Sequence, residues 1–156
     1  MPHIHEKIDW CVEVFIVYQN KVLLRVHDKV GIWLSVGGHV ELHEDPTEAA
    51  QREVKEEVGL EIELFDNRPT FTEGEPAPNN YRSLIAPAFL ARHRVNETHE
   101  HVVMVYFAKA KDDVVTPEKP TDIYRWFTEE ELTDPQYKIV DNVIFYDKQA
   151  LEKLGD

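Results

Sequence analysis

The chain has 156 residues, of which 42% are hydrophobic and 30% charged, and this is the usual size of one globular domain with its own core. Seventeen basic and thirty acidic residues give a net charge of -13, so the surface would repel nucleic-acid backbones and anionic lipid head groups. We find no pattern of a signal peptide and no apolar run long enough to span a bilayer. We therefore expect one cytoplasmic domain over residues 1–156.

The first elements form a predicted β-hairpin. Residues 10–18 and 21–27 are rich in β-branched and apolar side chains, and two polar residues separate them. A short apolar stretch, WLSVGG, then leads to Gly37 and Gly38. Paired glycines permit the backbone to approach a ligand closely, so this turn is a candidate part of a site.

A helix follows the glycines, and both of its ends are marked. Asp45 fits the N-cap, Pro46 the first helical position and Glu48 the third residue of a capping box. Gly59 fits the C-terminal stop.

The second half of the chain predicts further strands and a last helix. The Pro- and Asn-rich passage from residue 67 to residue 80 is typical of a long surface loop. The predicted strands are 60–65, 84–95, 101–110 and 123–127, and helical spacing of apolar residues predicts a helix over 137–154. The pattern indicates a mixed α/β or α+β domain.

Three glutamates crowd one side of the middle helix. At 100° per residue, Glu53, Glu56 and Glu57 share an arc that borders the apolar stripe, with Arg52 as their nearest basic neighbour. A solvated acidic face would lie opposite the stripe and mix its charges. Like charges at this spacing repel, and hard oxygen ligands suit Mg²⁺ or Mn²⁺, so the pattern favours a metal site.

These residues also stand in a fixed frame. Gly38, five residues, Glu44, seven residues and then REVKEEVGL fit, at every specified position, the box that defines Nudix hydrolases. A hairpin before the box and the late segment IYRWFTEEEL are similar to the family as well. Ser35 and Val36 depart from it, since proline often precedes the glycines there. The chain resembles the Nudix (MutT-like) family.

The resemblance implies an α/β fold, namely an α/β/α sandwich with a mixed β-sheet. It implies Mg²⁺- or Mn²⁺-dependent cleavage of the diphosphate linkage in a nucleoside diphosphate joined to a group X. A nucleotide sugar, ADP-ribose, a dinucleoside polyphosphate and a normal or oxidised nucleoside triphosphate are all candidate substrates. A homodimer is one alternative for its assembly.

The resemblance also assigns roles to residues of the box. Glu56 and Glu57 are expected metal ligands, and Glu53 is a ligand or the base that takes a proton from water. The carbonyl of Gly37 is a further candidate ligand. Arg52 is expected to orient the carboxylates, and Glu44 to support the loop or reach an ion through water.

Residues outside the box extend the candidate site. In the segment NETHE, Glu100 is preferred to Glu97 as a further ligand or base. His99 and His101 would share one strand face and could contact phosphate or metal, but we expect two exposed loop histidines, and we treat His39 and His43 in the same way.

Substrate selection would fall to residues outside the box. Arg25 is a candidate phosphate contact or a surface arginine, while Phe71, Tyr81 and Trp126 are candidates for stacking on a base, with core packing expected for Trp126.

Two other classes compete with a hydrolase. A ligand-sensing domain typically loses box glutamates, all of which are present here. An isoprenyl diphosphate isomerase-like enzyme would need a catalytic cysteine near the site, and Cys11 is the only cysteine of the chain.

Overall fold

A computed structural model describes residues 6–68 and 78–156 of the protein. The elements in chain order are strands β1 (Ile8–Tyr18), β2 (Lys21–Val26), β3 (Trp33–Leu34) and β4 (Val36–His39), helix α1 (Pro46–Val58), strands β5 (Ile62–Leu64), β6 (Phe89–Arg94), β7 (Glu100–Ala110) and β8 (Tyr124–Thr128), and helices α2 (Glu129–Leu132) and α3 (Asp141–Leu154). A short 3-10 turn covers Pro78–Asn80.

The strands form one mixed sheet around two long central strands. β1 and β7 run parallel over ten register pairs, from Ile8 beside Glu100 to Val17 beside Lys109. All other pairings are antiparallel: β2 and β4 share the free edge of β1, and β5 and β6 share that of β7. Because β4 and β6 pair with the first halves of the central strands, both lie at the same end of the sheet.

The two faces of the sheet carry separate hydrophobic clusters. Successive residues of a strand point to opposite faces, so Val12, Val14 and Ile16 pack with the buried stripe of α1. Cys11, Phe15 and Val17 face the other way and pack with α3. The predicted α/β/α sandwich with a mixed sheet is therefore confirmed.

Local signals account for the limits of α1. The Asp45 side chain accepts hydrogen bonds from the N–H groups of Thr47 and Glu48, and the Glu48 carboxylate accepts one from the Asp45 N–H. Gly59 ends the helix in the left-handed region at φ 71°. Both ends fall where the sequence predicts them.

Two elements begin at least four residues later than predicted. β6 begins at Phe89 and not at residue 84, because Pro87 has no N–H to donate to a ladder. α3 begins at Asp141 and not at residue 137. Lys138 has a positive φ of 53°, which breaks the helical path, and the ring of Tyr137 packs edge-on against Phe127. Apolar residues thus keep helical spacing before residue 141, although the backbone there is not helical.

Candidate active site

Glu57 reaches from α1 to the backbone of the glycine strand. Its Oε2 accepts a hydrogen bond from the Gly37 N–H at 3.1 Å, and its Oε1 forms an ion pair with Arg25 of β2. Only 11% of the side chain is exposed. Burial raises the pKa of Glu57 to about 7, against the lowering effect of Arg25 and the Gly37 amide. The carboxylate thus lies where a further positive charge would stabilise its ionised form.

The two glycines let this helix and strand come together. A Cβ atom on Gly38 would lie 2.3 Å from Oε1 of Glu53, so only glycine leaves room for that carboxylate. A Cβ atom on Gly37 would lie 2.1 Å from the Val12 carbonyl oxygen, since β4 crosses β1 closely there. Gly38 is therefore a cradle for the Glu53 carboxylate, and Gly37 lets β4 lie close to β1.

Arg52 ties the remaining box carboxylates to one another. Its guanidinium donates to Glu44 at 2.6 Å, to Glu53 at 2.8 Å and to Glu56 at 3.1 Å. It also donates to the His39 carbonyl oxygen at 2.9 Å. The hydrogen bond from Arg52 is the main cause of a lowered pKa for Glu44. Three carboxylates therefore share one guanidinium, so the cluster of Arg52 with these glutamates has more negative than positive charge.

The donor set suits a hard divalent cation. Glu53, Glu56 and Glu57 of α1 offer carboxylate oxygens, and Gly37 of β4 offers a carbonyl oxygen. Oxygen ligands of this kind are what Mg²⁺ and Mn²⁺ bind in proteins. The cradle at Gly38 and the buried Glu57 carboxylate are the structural observations that fit such an ion.

Glu13 is a residue that sequence reasoning missed. It is the single acidic residue in the apolar core of β1, lies opposite Gly37, and burial raises its pKa. A carboxylate inside a run such as CVEVFIVY was the available signal. Glu13 lines a cavity of about 250 Å³, together with Arg25, Gly37 and His101. A larger cavity, of about 460 Å³ beside Lys148 of α3, is lined by none of the predicted site residues.

The structure does not bring Glu100 to the box. Glu100 is the first residue of β7 and is buried, with ion pairs to Arg92 and Lys7. It lies five residues along β7 from Val105, the neighbour of Glu13. Its contacts hold the carboxylate away from the box glutamates, and Glu97 is exposed.

The aromatic candidates are dispersed. Trp126 packs on Tyr18 with ring centroids 6.0 Å apart and donates to the Asp113 carbonyl oxygen, so its position is one of core packing. Tyr81 is 60% exposed. Phe71 lies outside the described residues.

The histidines differ from expectation. His101 is part of β7, and both it and His99 are half-buried, so the prediction of two exposed loop histidines is wrong. The reason is that the two rings lie against each other and against His39 of β4 and Asp9 of β1. His39 ends β4 and is exposed, as is His43.

The thiol of Cys11 is unsuited to catalysis. The side chain is buried under the α3 face of the sheet. Burial, with smaller contributions from Asp9, Glu13 and Glu53, raises its pKa to about 12, so the reactive thiolate does not form at neutral pH.

The mixed sheet and its glycine-cradled glutamate helix define a class of α/β proteins that act on phosphate anhydrides. The family model for the NUDIX domain matches residues 10–147. A NUDIX-family hydrolase from Clostridium perfringens is 32% identical, with a TM-score of 0.83 over 92% of this chain and 96% of that one. The chain belongs to the NUDIX family.

More distant structures share the fold. A MutT NUDIX hydrolase from Burkholderia pseudomallei is 21% identical, with a TM-score of 0.63 over 96% of this chain and 99% of that one. A UDP-X diphosphatase is 17% identical, with a TM-score of 0.64 over 96% of this chain and 66% of that one.

The family membership defines the general activity. The protein is a hydrolase of phosphorus-containing anhydrides, of a family that acts on small nucleotide derivatives and generally uses a divalent metal. In the parts of the chain that the structure describes, no helix has the length and apolarity to cross a membrane.

Proposed function

We propose that the protein is a Mg²⁺- or Mn²⁺-dependent pyrophosphohydrolase that cleaves the diphosphate linkage of a nucleoside diphosphate joined to a group X. The observation that carries the proposal is the buried Glu57 carboxylate on the Gly37 amide, beside two further glutamates that share one arginine. Such a group is costly for the fold unless it binds a cation.

Glu53, Glu56, Glu57 and the Gly37 carbonyl would hold the ion. When bound, a divalent ion neutralises phosphate oxygens and lowers the pKa of water, which is the chemistry that phosphoanhydride hydrolysis needs. Arg52 orients the Glu53 and Glu56 carboxylates through its hydrogen bonds. Glu53 is a ligand or the general base, because the Gly38 cradle holds it against the strand.

We infer that Arg25 contacts the substrate, with Glu13 beside it in the same cavity. Both line the cavity beside the glycine strand, and the Nε of Arg25 is buried without a partner among the described residues. A phosphate oxygen in the cavity would share the Arg25 guanidinium with Glu57. The roles of Glu100 and Tyr81 remain predictions, and so do cytoplasmic location, a single domain and a homodimer.

The rival classes find less support. A sensor would not need the intact set of box glutamates, all of which the structure places around Arg52 or Gly37. An isomerase of the cysteine-dependent kind would need a reactive thiol, and Cys11 is buried with a raised pKa.

A substrate panel tests the proposal. Purified protein with millimolar Mg²⁺ is incubated with nucleotide sugars, ADP-ribose, dinucleoside polyphosphates and normal or oxidised nucleoside triphosphates, and products are identified by mass. We expect cleavage within the diphosphate linkage of one of these classes. Binding of a panel member without any turnover would favour the sensor.

Two variants test the residue roles. Glu53→Gln and Glu57→Gln should each lower kcat by at least about 100-fold, because each removes a charged oxygen from the centre. Glu63→Gln, on an exposed position of β5, is the matched control and should keep the wild-type rate. Circular dichroism checks that the fold persists. Wild-type rates in both site variants would refute the roles.

A further inference from the structure

A second group of possible metal ligands lies at one end of the central strands, apart from the box carboxylates. Asp9 of β1 is the register neighbour of His101 in β7, and His39 ends β4, paired with Cys11. His99 lies two residues before His101. Paired residues share a sheet face, so Asp9, His39 and His101 all point to the α3 side.

The ligand atoms of these four side chains converge. Nε2 of His101 lies 3.3 Å from Nε2 of His39 and 3.1 Å from Nε2 of His99. Oδ2 of Asp9 lies 3.5 Å from Nε2 of His39 and 3.2 Å from Nε2 of His99. Within the described residues all four atoms lie within 4.8 Å of one another.

These separations match one small ion. Zn²⁺ binds histidine nitrogen and carboxylate oxygen tetrahedrally at about 2.0–2.1 Å, which sets neighbouring ligand atoms about 3.3 Å apart. Four of the six separations, from 3.1 to 3.5 Å, fall around that value, and the other two are no longer than 4.8 Å. Three imidazoles and one carboxylate are also the ligands that Zn²⁺ and its neighbours in the first transition row prefer over Mg²⁺.

Hydrogen bonds alone do not account for the arrangement. A ring nitrogen carries either one hydrogen or one lone pair, so Nε2 of His101 can bond as only a donor or only an acceptor. It nevertheless faces two other Nε2 atoms, which compete for the same hydrogen or lone pair. A fourth ring, His93, stacks edge-on against His101 with centroids 4.9 Å apart. A cation between the nitrogens would let every lone pair point at a partner.

We propose that Asp9, His39, His99 and His101 form a transition-metal site, with Zn²⁺ as the expected ion. It is separate from the glutamate centre, although His39 and His101 line the same cavity as Arg25. Four protein ligands make a closed site, which is the structural and not the catalytic type. The site would join the ends of β1, β4 and β7. His39 also carries the carbonyl that Arg52 contacts, so the site would help to fix the loop that leads into the box.

Metal titration of the full chain tests the site. Protein stripped with a chelator is titrated with Zn²⁺ by calorimetry in excess Mg²⁺, which occupies the carboxylate centre. Co²⁺ is used in parallel, because tetrahedral Co²⁺ has strong visible absorption. We expect one tight equivalent and a tetrahedral Co²⁺ spectrum.

Variants locate the binding. His101→Ala and His99→Ala should each weaken Zn²⁺ binding by at least about 100-fold, since loss of even an outer-shell partner costs 10–100-fold. His43→Ala, in the exposed loop, and Glu57→Gln, in the box, should leave it unchanged. A variant with His3 and His5 both changed to alanine controls for residues outside the described ranges. Melting curves of each metal-free variant show whether the substitution has damaged the fold. His99→Gln is a second variant at a position outside the strand, where the substitution should disturb the fold least.

The outcomes separate cleanly. The site is supported if the wild type binds one equivalent of Zn²⁺ tightly and if His99→Ala, His99→Gln and His101→Ala each remove that binding. The proposal is overturned by the absence of a tight equivalent in the stripped protein, by binding that survives all three variants, or by binding that Glu57→Gln or the His3 and His5 control removes.

Discussion

The Gly38 cradle leads to a prediction whose size follows from one distance. In Gly38→Ala the new Cβ would lie 2.3 Å from Oε1 of Glu53, whereas ordinary contact begins at 3.4 Å. The carboxylate must therefore move by about 1 Å. A displacement of 1 Å in an active site can cost about 100-fold in rate, or about 2.7 kcal/mol of transition-state stabilisation.

The same substitution should leave the fold almost intact. The clash is with the end of a flexible side chain, so we expect the free energy of unfolding to change by less than about 1 kcal/mol. Gly37→Ala is the contrasting variant, because its Cβ would meet the Val12 carbonyl oxygen at 2.1 Å and the Glu13 Cα at 3.0 Å, both backbone atoms. β4 would have to separate from β1, and stability should fall by several times as much.

The assay pairs steady-state hydrolysis of the best panel substrate with thermal unfolding of each variant. We expect Gly38→Ala to lose rate at a nearly wild-type Tm, and Gly37→Ala to lose Tm. The reasoning fails if Gly38→Ala turns over at the wild-type rate with unchanged Mg²⁺ dependence, or if its loss of rate comes with as large a loss of Tm as Gly37→Ala shows.

Two further predictions concern charge. Burial raises the pKa of Glu57 from 4.5 to about 7, so in metal-free protein its ionisation lowers stability as pH rises from 4.5 to about 7 and no further above. Mg²⁺ competes with that proton, and the rise in Tm with millimolar Mg²⁺ should therefore be larger at pH 8 than at pH 6; an equal rise at both would contradict it. Asp147 of α3 is fully buried, neither carboxylate oxygen has a hydrogen-bond partner in the described parts of the chain, and burial raises its pKa well above 3.8. Asp147→Asn should gain stability over wild type as pH rises above 3.8, by up to about 1.4 kcal/mol per pH unit until the folded pKa is passed. Parallel stability curves in urea across pH 4–8 would show that Asp147 does not titrate this way.

Elements with local causes were predicted well. The capping box at Asp45 and the left-handed Gly59 involve neighbours a few residues apart, so α1 has the limits that the sequence predicts. The limits of elements that depend on distant partners were predicted less well. β6 exists only where β7 offers free backbone groups, and α3 starts only where the chain leaves the turn at Lys138.

The box residues and their order along α1 could be predicted from sequence alone, because helical geometry places residues three and four apart on one side whatever surrounds them. The packing of α1, β1 and β2 decides which carboxylate is buried on the Gly37 amide. It also decides that Glu13 and Arg25 line the same cavity. The convergence of Asp9, His39, His99 and His101 depends on strand register. The register of β1 with β7 pairs residues that are 92 positions apart, such as Asp9 with His101. The alternation within either strand predicts the face of each residue but not its partner.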